Sequence, residues 1–159
     1  QTNLNSFPPL LETMKRVQLK SKEASKLIQE YNITLSKKDQ CVLADDKFLL
    51  INNIPSFFYH EGKLLPTLKY LQKELILKVI VVDTGAIRFI TKGADIMRPG
   101  ITEIDEDIEK SEAIVVIEET HRKPLAVGIT LFSGKEMKAA SLGKVIQNIH
   151  YVGDDLWKM

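Results

Sequence analysis

With a single cysteine, Cys41, the 159-residue chain can form no intramolecular disulfide framework and no multi-thiolate zinc site, and it fits a reducing compartment. Long apolar runs are missing too. No uninterrupted stretch approaches the ~18 residues of a membrane helix, and no basic region followed by an apolar block opens the chain. A signal peptide and a span are therefore not expected, and the expected location is cytoplasmic. Eight glycines and six prolines are too few for a fibrous or low-complexity chain. The three histidines, His60, His121 and His150, lie far apart with no paired-ligand spacing, and there is no phosphate-loop Gly-Lys-Ser, Gly-x-Ser-x-Gly or Rossmann fingerprint. Neither a metal nor a cofactor is expected. What remains is ordinary globular composition, 44% hydrophobic and 27% charged, enough for one mid-sized domain or two small ones.

Net charge is only +1, yet it is unevenly spread. Residues 1–78 hold 12 basic against 8 acidic side chains, while residues 79–159 hold 10 against 13, and six of the ten residues from Glu103 to Glu112 are acidic. A surface with separated signs is compatible with these numbers. The junction falls at Lys73 to Lys78, where a helical pattern gives way to a β run. This divides the chain into a small α+β unit, 1–76, and a mainly β unit, 77–159.

In the first unit Ala24, Leu27, Ile28 and Tyr31 share one helical face. Cys41 to Ala44 and Phe48 to Ile51 flank Asp45-Asp46-Lys47 as a hairpin, and Phe57 to Tyr59 forms a further strand ending at the turn His60-Glu61-Gly62-Lys63. Pro66 suits the first turn of a helix carrying Leu68, Leu71 and Leu75. The second unit has β runs at Val79–Val82, Asp95–Met97, Ala113–Glu118, Leu125–Phe132 and Lys144–Val152. One short helix is expected from Asp83 or Thr84 to Gly93, and another from the capping box Ser133-Gly-Lys-Glu136 to near Gly143. Ala126, Gly128 and Thr130 are small and share one face of a strand, so a helix or a ligand should approach it closely. A closed or nearly closed barrel with helices at its ends fits these strands.

Several constellations invite chemistry. Asp83-Thr-Gly-Ala86 after an apolar strand matches the aspartic-protease signature, but one copy would demand a homodimer, and a helix follows where those enzymes continue as a strand. A helix cap is the simpler reading. The acidic run beginning at Asp105 fails as a calcium loop, because Lys110 stands where glycine is needed and Val116 where a bidentate glutamate is needed, so it reads as a solvated loop. Cys41, within an apolar run, reads as a buried structural thiol, and Trp157 as a docked anchor. His121-Arg122-Lys123-Pro124 reads as a hairpin tip. By contrast, Gly85, Ala86, Gly93, Ala94 and Gly100 lie within sixteen residues, interleaved with Arg88, Lys92 and Arg98. Small residues admit another backbone, and the cations can neutralise phosphates.

The run from Asp83 to Ile101 resembles a PUA domain, an RNA-binding module, through Gly93-Ala-Asp95 and Pro99-Gly-Ile101. The later Ala126-Val-Gly128 and Ile149-His-Tyr151 follow in the expected order. A narrower likeness, through Gly85-Ala-Ile-Arg-Phe89, Gly93-Ala-Asp-Ile-Met97, Asn148-Ile-His-Tyr151, Leu156-Trp157 and the upstream Pro66-Thr-Leu68, is to the malignant T-cell-amplified sequence and translation machinery-associated family. The resemblance implies an α+β N-terminal domain followed by a mainly β PUA pseudo-barrel. It also implies a non-catalytic RNA-binding protein of the translation apparatus that engages tRNA or small-subunit rRNA. Its implied partners are the small ribosomal subunit and a density-regulated-type protein, with no DNA and no membrane. The expected RNA face comprises Thr84, Gly85, Ala86, Arg88, Lys92, Gly93, Ala94 and Arg98, with Tyr151 stacking. Lys92 and Arg98 are the leading phosphate contacts of a cleft expected to be open and electropositive. The alternatives are an accessory protein presenting RNA to a separate modifying enzyme and, more remotely, a homodimeric protease using Asp83.

Overall fold

A computed structural model describes residues 9–159, so the first eight residues, part of the expected first unit and of the leader reading, lie outside it. A short helix α1 (Pro9–Glu12) leads into a five-stranded antiparallel meander. Its strands are β1 (Arg16–Leu19), β2 (Cys41–Ala44), β3 (Phe48–Ile51), β4 (Ile54–His60) and β5 (Lys63–Pro66). Three tight turns set the register. Asp45-Asp46, Asn52-Asn53 and Glu61-Gly62 all have positive φ, and left-handed pairs of this kind twist a hairpin in the sense the strands require. The expected β2–β3 hairpin is present residue for residue. β4 starts three residues earlier than its apolar run suggested. Pro55 argues against a strand, yet it is tolerated because the β3–β4 register shifts between Leu49 and Leu50.

Helix α2 (Ser21–Leu27) lies against this sheet and ends a turn earlier than its periodicity implied, with Gln29–Tyr31 tightening into a 3-10 turn. Ala24 and Ile28 are fully buried beside Cys41, Leu49 and Phe57, whereas Leu27 is exposed. Burial pushes the Cys41 thiol above its ordinary range, as expected of a structural cysteine. Pro66 does not open the next helix. It ends edge strand β5 opposite Phe57, where its missing N–H leaves no ladder bond unmade, and Thr67 caps α3 (Leu68–Leu71) by accepting from the Tyr70 N–H at 3.2 Å.

The second sheet is β6 (Val79–Val82), β7 (Ile96–Met97), β8 (Ile101–Ile104), β9 (Ala113–Glu118), β10 (Pro124–Thr130) and β11 (Lys144–Tyr151), in the order β7-β11-β10-β9-β6-β8. Every pairing is antiparallel except β6 with β9. β7 and β8 form opposite edges but are separated in the chain only by the turn Arg98–Gly100. The sheet must therefore curl until its edges approach each other at that turn without pairing, and the result is a half-barrel. Helix α4 (Ile87–Ile90) follows β6, and α5 (Gly134–Ala139) packs beside β8. The capping box of α5 is formed as expected, though the helix stops at Ala139. Gly134 is required there. A side chain would run into the Asp105 carbonyl oxygen and the Glu106 main chain.

Both faces of β6, β9 and β10 are covered. Ile80, Val82, Ile114, Val116, Ala126 and Ile146 fill the half-barrel, while Val81, Val115, Ile117 and Val127 pack against Phe58, Leu65, Leu68 and Leu71 of the first unit. The small face of β10 is approached by the protein itself. Ile146 of the neighbouring strand occupies the space over Gly128, and Ile90 of α4 joins the cluster containing Ala126. A polar latch reinforces the junction: the buried His150 accepts the Leu68 N–H at Nε2 (3.1 Å), so its Nδ1 carries the proton and donates to Asp154 at 2.8 Å. Trp157 docks at the same seam, with the Lys69 ammonium 5.9 Å from its ring centroid.

Candidate nucleic-acid interface

After β6 the chain turns through Asp83, whose carboxylate accepts the Ala86 N–H at 3.0 Å and starts a 3-10 turn that runs into α4. The Asp-Thr-Gly-Ala segment is thus a helix cap, with its carboxylate committed to main chain. At the other end, Ala94 N–H reaches the Phe89 carbonyl and Gly93 N–H the Ile90 carbonyl, the bond pair of a Schellman stop, with Gly93 at φ +93°. These two devices fix a one-turn helix at the mouth of the half-barrel.

Between α4, β7 and the Arg98–Gly100 turn lies an open groove of about 370 Å³. Gly85, Ala86, Ala94 and Gly100 line it as small residues, and the exposed side chains of Phe89 and Met97, 53% and 50% accessible, add large apolar walls. The groove is not electropositive. Two carboxylates, Asp83 and Asp95, line it, and no cationic side chain does so among the described residues. Both acids already serve the fold, Asp83 as the cap and Asp95 by accepting the Asn148 N–H at 2.9 Å and pairing with Lys144 at 3.4 Å.

The expected residues divide into three groups. Gly85, Ala86 and Ala94 line the groove, with Thr84 beside it, its N–H donating to Glu119 at 3.1 Å. Arg88 and Lys92 are exposed on α4 and its C-terminal turn, the Arg88 guanidinium 4.7 Å from the Phe89 ring centroid. Gly93, Arg98 and Tyr151 are occupied within the protein. A side chain at Gly93 would come within 3.1–3.2 Å of the Tyr151 ring, so the bare position there accommodates that ring, which packs against the half-barrel core. Arg98 donates through Nε to the Met137 carbonyl at 2.6 Å and through Nη1 to the Ile101 carbonyl at 3.1 Å, tying the turn to α5 and β8. At the hairpin tip, Arg122 pairs with Glu103 at 3.5 Å. The buried Glu118 carboxylate accepts the N–H groups of Thr120, His121 and Lys123.

Sequence reasoning did not single out Phe89 or Met97 as site residues. The signal was available in the helix. Apolar residues at 86, 87, 89 and 90 exceed what one face of a single turn can bury, and Ile90 alone is fully buried.

Residues 78–152 match the PUA domain family, and residues 15–74 match a domain family of unknown function (DUF1947). An uncharacterized protein of Methanocaldococcus jannaschii is 40% identical over 92% of this chain and 98% of its own length. Translation machinery-associated protein 20 of Schizosaccharomyces pombe is 35% identical over 84% of this chain and 83% of its own. Among solved structures, a hypothetical protein of Pyrococcus horikoshii superposes with a TM-score of 0.76 at 31% identity, covering 90% of this chain and 98% of that one.

Proposed function

Because the chain belongs to the translation machinery-associated protein 20 and malignant T-cell-amplified sequence family and carries its PUA domain, we propose that it is a non-catalytic RNA-binding protein of the translation apparatus. The groove beside α4 is its recognition site for unpaired nucleotides. The observation that carries this reading is an open, apolar-walled groove with no cation lining it, beside a helix that carries the exposed Arg88 and ends in a turn with the exposed Lys92. A phosphate has no partner inside the groove, whereas an unstacked base can lie against Phe89 and Met97 over the small residues of the floor. Arg88 and Lys92 take the flanking phosphates. Arg98 acts as an internal clamp, and Tyr151 braces Gly93.

The single-stranded acceptor end of a tRNA is a substrate of this form, and the cytoplasmic translation machinery is the setting the family membership supports. No helix among the described residues is long and apolar enough to cross a membrane.

The test compares an RNA duplex bearing a short single-stranded 3′ extension with the same duplex blunt. Wild type should prefer the extended form. Phe89→Ala with Met97→Ala should abolish that preference, a loss of about 1–3 kcal/mol for one stacked base. Arg88→Gln with Lys92→Gln should flatten the salt dependence by about 0.9 per lost phosphate. Equal affinity for the two RNAs in wild type would reject the groove.

A further inference from the structure

A second charged surface lies on the first unit, away from the groove. Two adjacent depressions, of about 760 and 630 Å³, share Lys20 and Lys22 in their walls. Lys26 lines the first, and Lys37 and Lys38 line the second. All five ammonium-bearing side chains are exposed, and none has a carboxylate within 4 Å among the described residues. Among the described residues two acids line the depressions, and both accept hydrogen bonds from within the protein. Glu23 accepts the Lys20 N–H at 3.0 Å at the start of α2. Asp39 accepts from the Asn52 amide at 3.0 Å and the Ser36 N–H at 2.9 Å, and these bonds, from Asn52 first, hold its carboxyl below the ordinary range. The rest of the lining is largely polar and uncharged, with Asn32, Thr34 and Gln40 among it and no aromatic side chain.

Five lysines against two lining carboxylates leave an excess of positive charge at one end of the small unit, while acidic residues crowd the 103–112 loop of the other. Without an aromatic anchor the surface lacks the feature that concentrates binding energy at protein interfaces. Nor does it offer a platform for a base. Its complement is a repeating anion whose contacts are point charges, the sugar-phosphate backbone of a duplex.

We propose that Lys20, Lys22, Lys26, Lys37 and Lys38 form a second, sequence-independent RNA surface that grips the backbone of a helix while the groove beside α4 reads an unpaired end. This deepens the RNA-binding reading and rests on it. The lysine face and the groove are held in one frame by the shared core and the His150 latch, so one structured RNA can engage both.

The decisive experiment uses the full chain and the blunt RNA duplex, which offers the groove no unpaired base. Changing all five lysines to glutamine should weaken duplex binding on the order of 100-fold at low salt and flatten its salt dependence by about 0.9 for each phosphate released. The five lysine-to-arginine changes keep the charge and should retain wild-type affinity, which separates lost charge from lost fold. Wild-type duplex affinity in the glutamine variant overturns the proposal, as does a wild type that binds polyglutamate and no duplex. A wild type that ignores the 3′ extension but loses duplex binding with the lysines rejects the groove and supports this surface.

Discussion

The groove beside α4 and the lysine face, both proposed as RNA contacts, present opposite chemistry. In the groove, charge is spent on the fold: Asp83 caps, Asp95 holds a strand and Arg98 clamps two elements, leaving Phe89 and Met97 as the outward-facing groups. On the lysine face five cations stand against two lining acids, and none of the five is paired with a carboxylate among the described residues. Affinity at the groove should therefore depend weakly on salt, and affinity at the lysine face strongly.

The comparison holds only if the two regions are rigidly joined, and the His150 latch is the place to break that. His150→Ala removes the acceptor of a buried N–H and leaves a cavity between the units, with an expected loss of about 3 kcal/mol in urea-unfolding stability. A midpoint equal to that of wild type would show that the apolar seam alone holds them. In RNA binding the same variant should keep each separate contact but weaken the extended duplex relative to wild type.

A smaller effect sharpens the latch itself. Burial alone would raise the Asp154 carboxyl, but the hydrogen bond from His150, with those from the Trp157 and Tyr151 N–H groups, brings it below its ordinary value. A carboxyl lowered in the folded state contributes stability that is complete above the unfolded value of ~3.9 and is lost as pH falls through the folded value. Urea midpoints of wild type should therefore fall in acid more steeply than those of Asp154→Asn. Parallel curves would remove Asp154 from the account.

How far these features could be read from sequence follows the range of the interactions behind them. The hairpin at Asp45-Asp46, the cap at Asp83, the stop at Gly93 and the box at Ser133–Glu136 are local, and local chemistry marks them. Strands β1 and β8 escaped notice because each is a four-residue edge, β1 mostly exposed and β8 with only its two isoleucines turned inward. The PUA likeness points to the α4 corner of the molecule, but not to the apolar, carboxylate-lined character of the groove there. Arg98 looked free because its acceptors are carbonyls 39 and 3 residues away, which carry no residue-type signal. Phe89 and Met97 looked like core because nothing in their type distinguishes a wall from an interior. Gly93 was correctly marked as bare, and the ring that covers it comes from Tyr151 at the far end of the second unit.

The most direct measurement places a fluorescent base analogue, 2-aminopurine, at the unpaired 3′ end of the extended RNA duplex. Stacking against Phe89 and Met97 should quench it on binding, and the quench should vanish in the Phe89→Ala, Met97→Ala variant while the lysine face still holds the duplex. An RNA that binds with its terminal fluorescence unchanged would contradict the account.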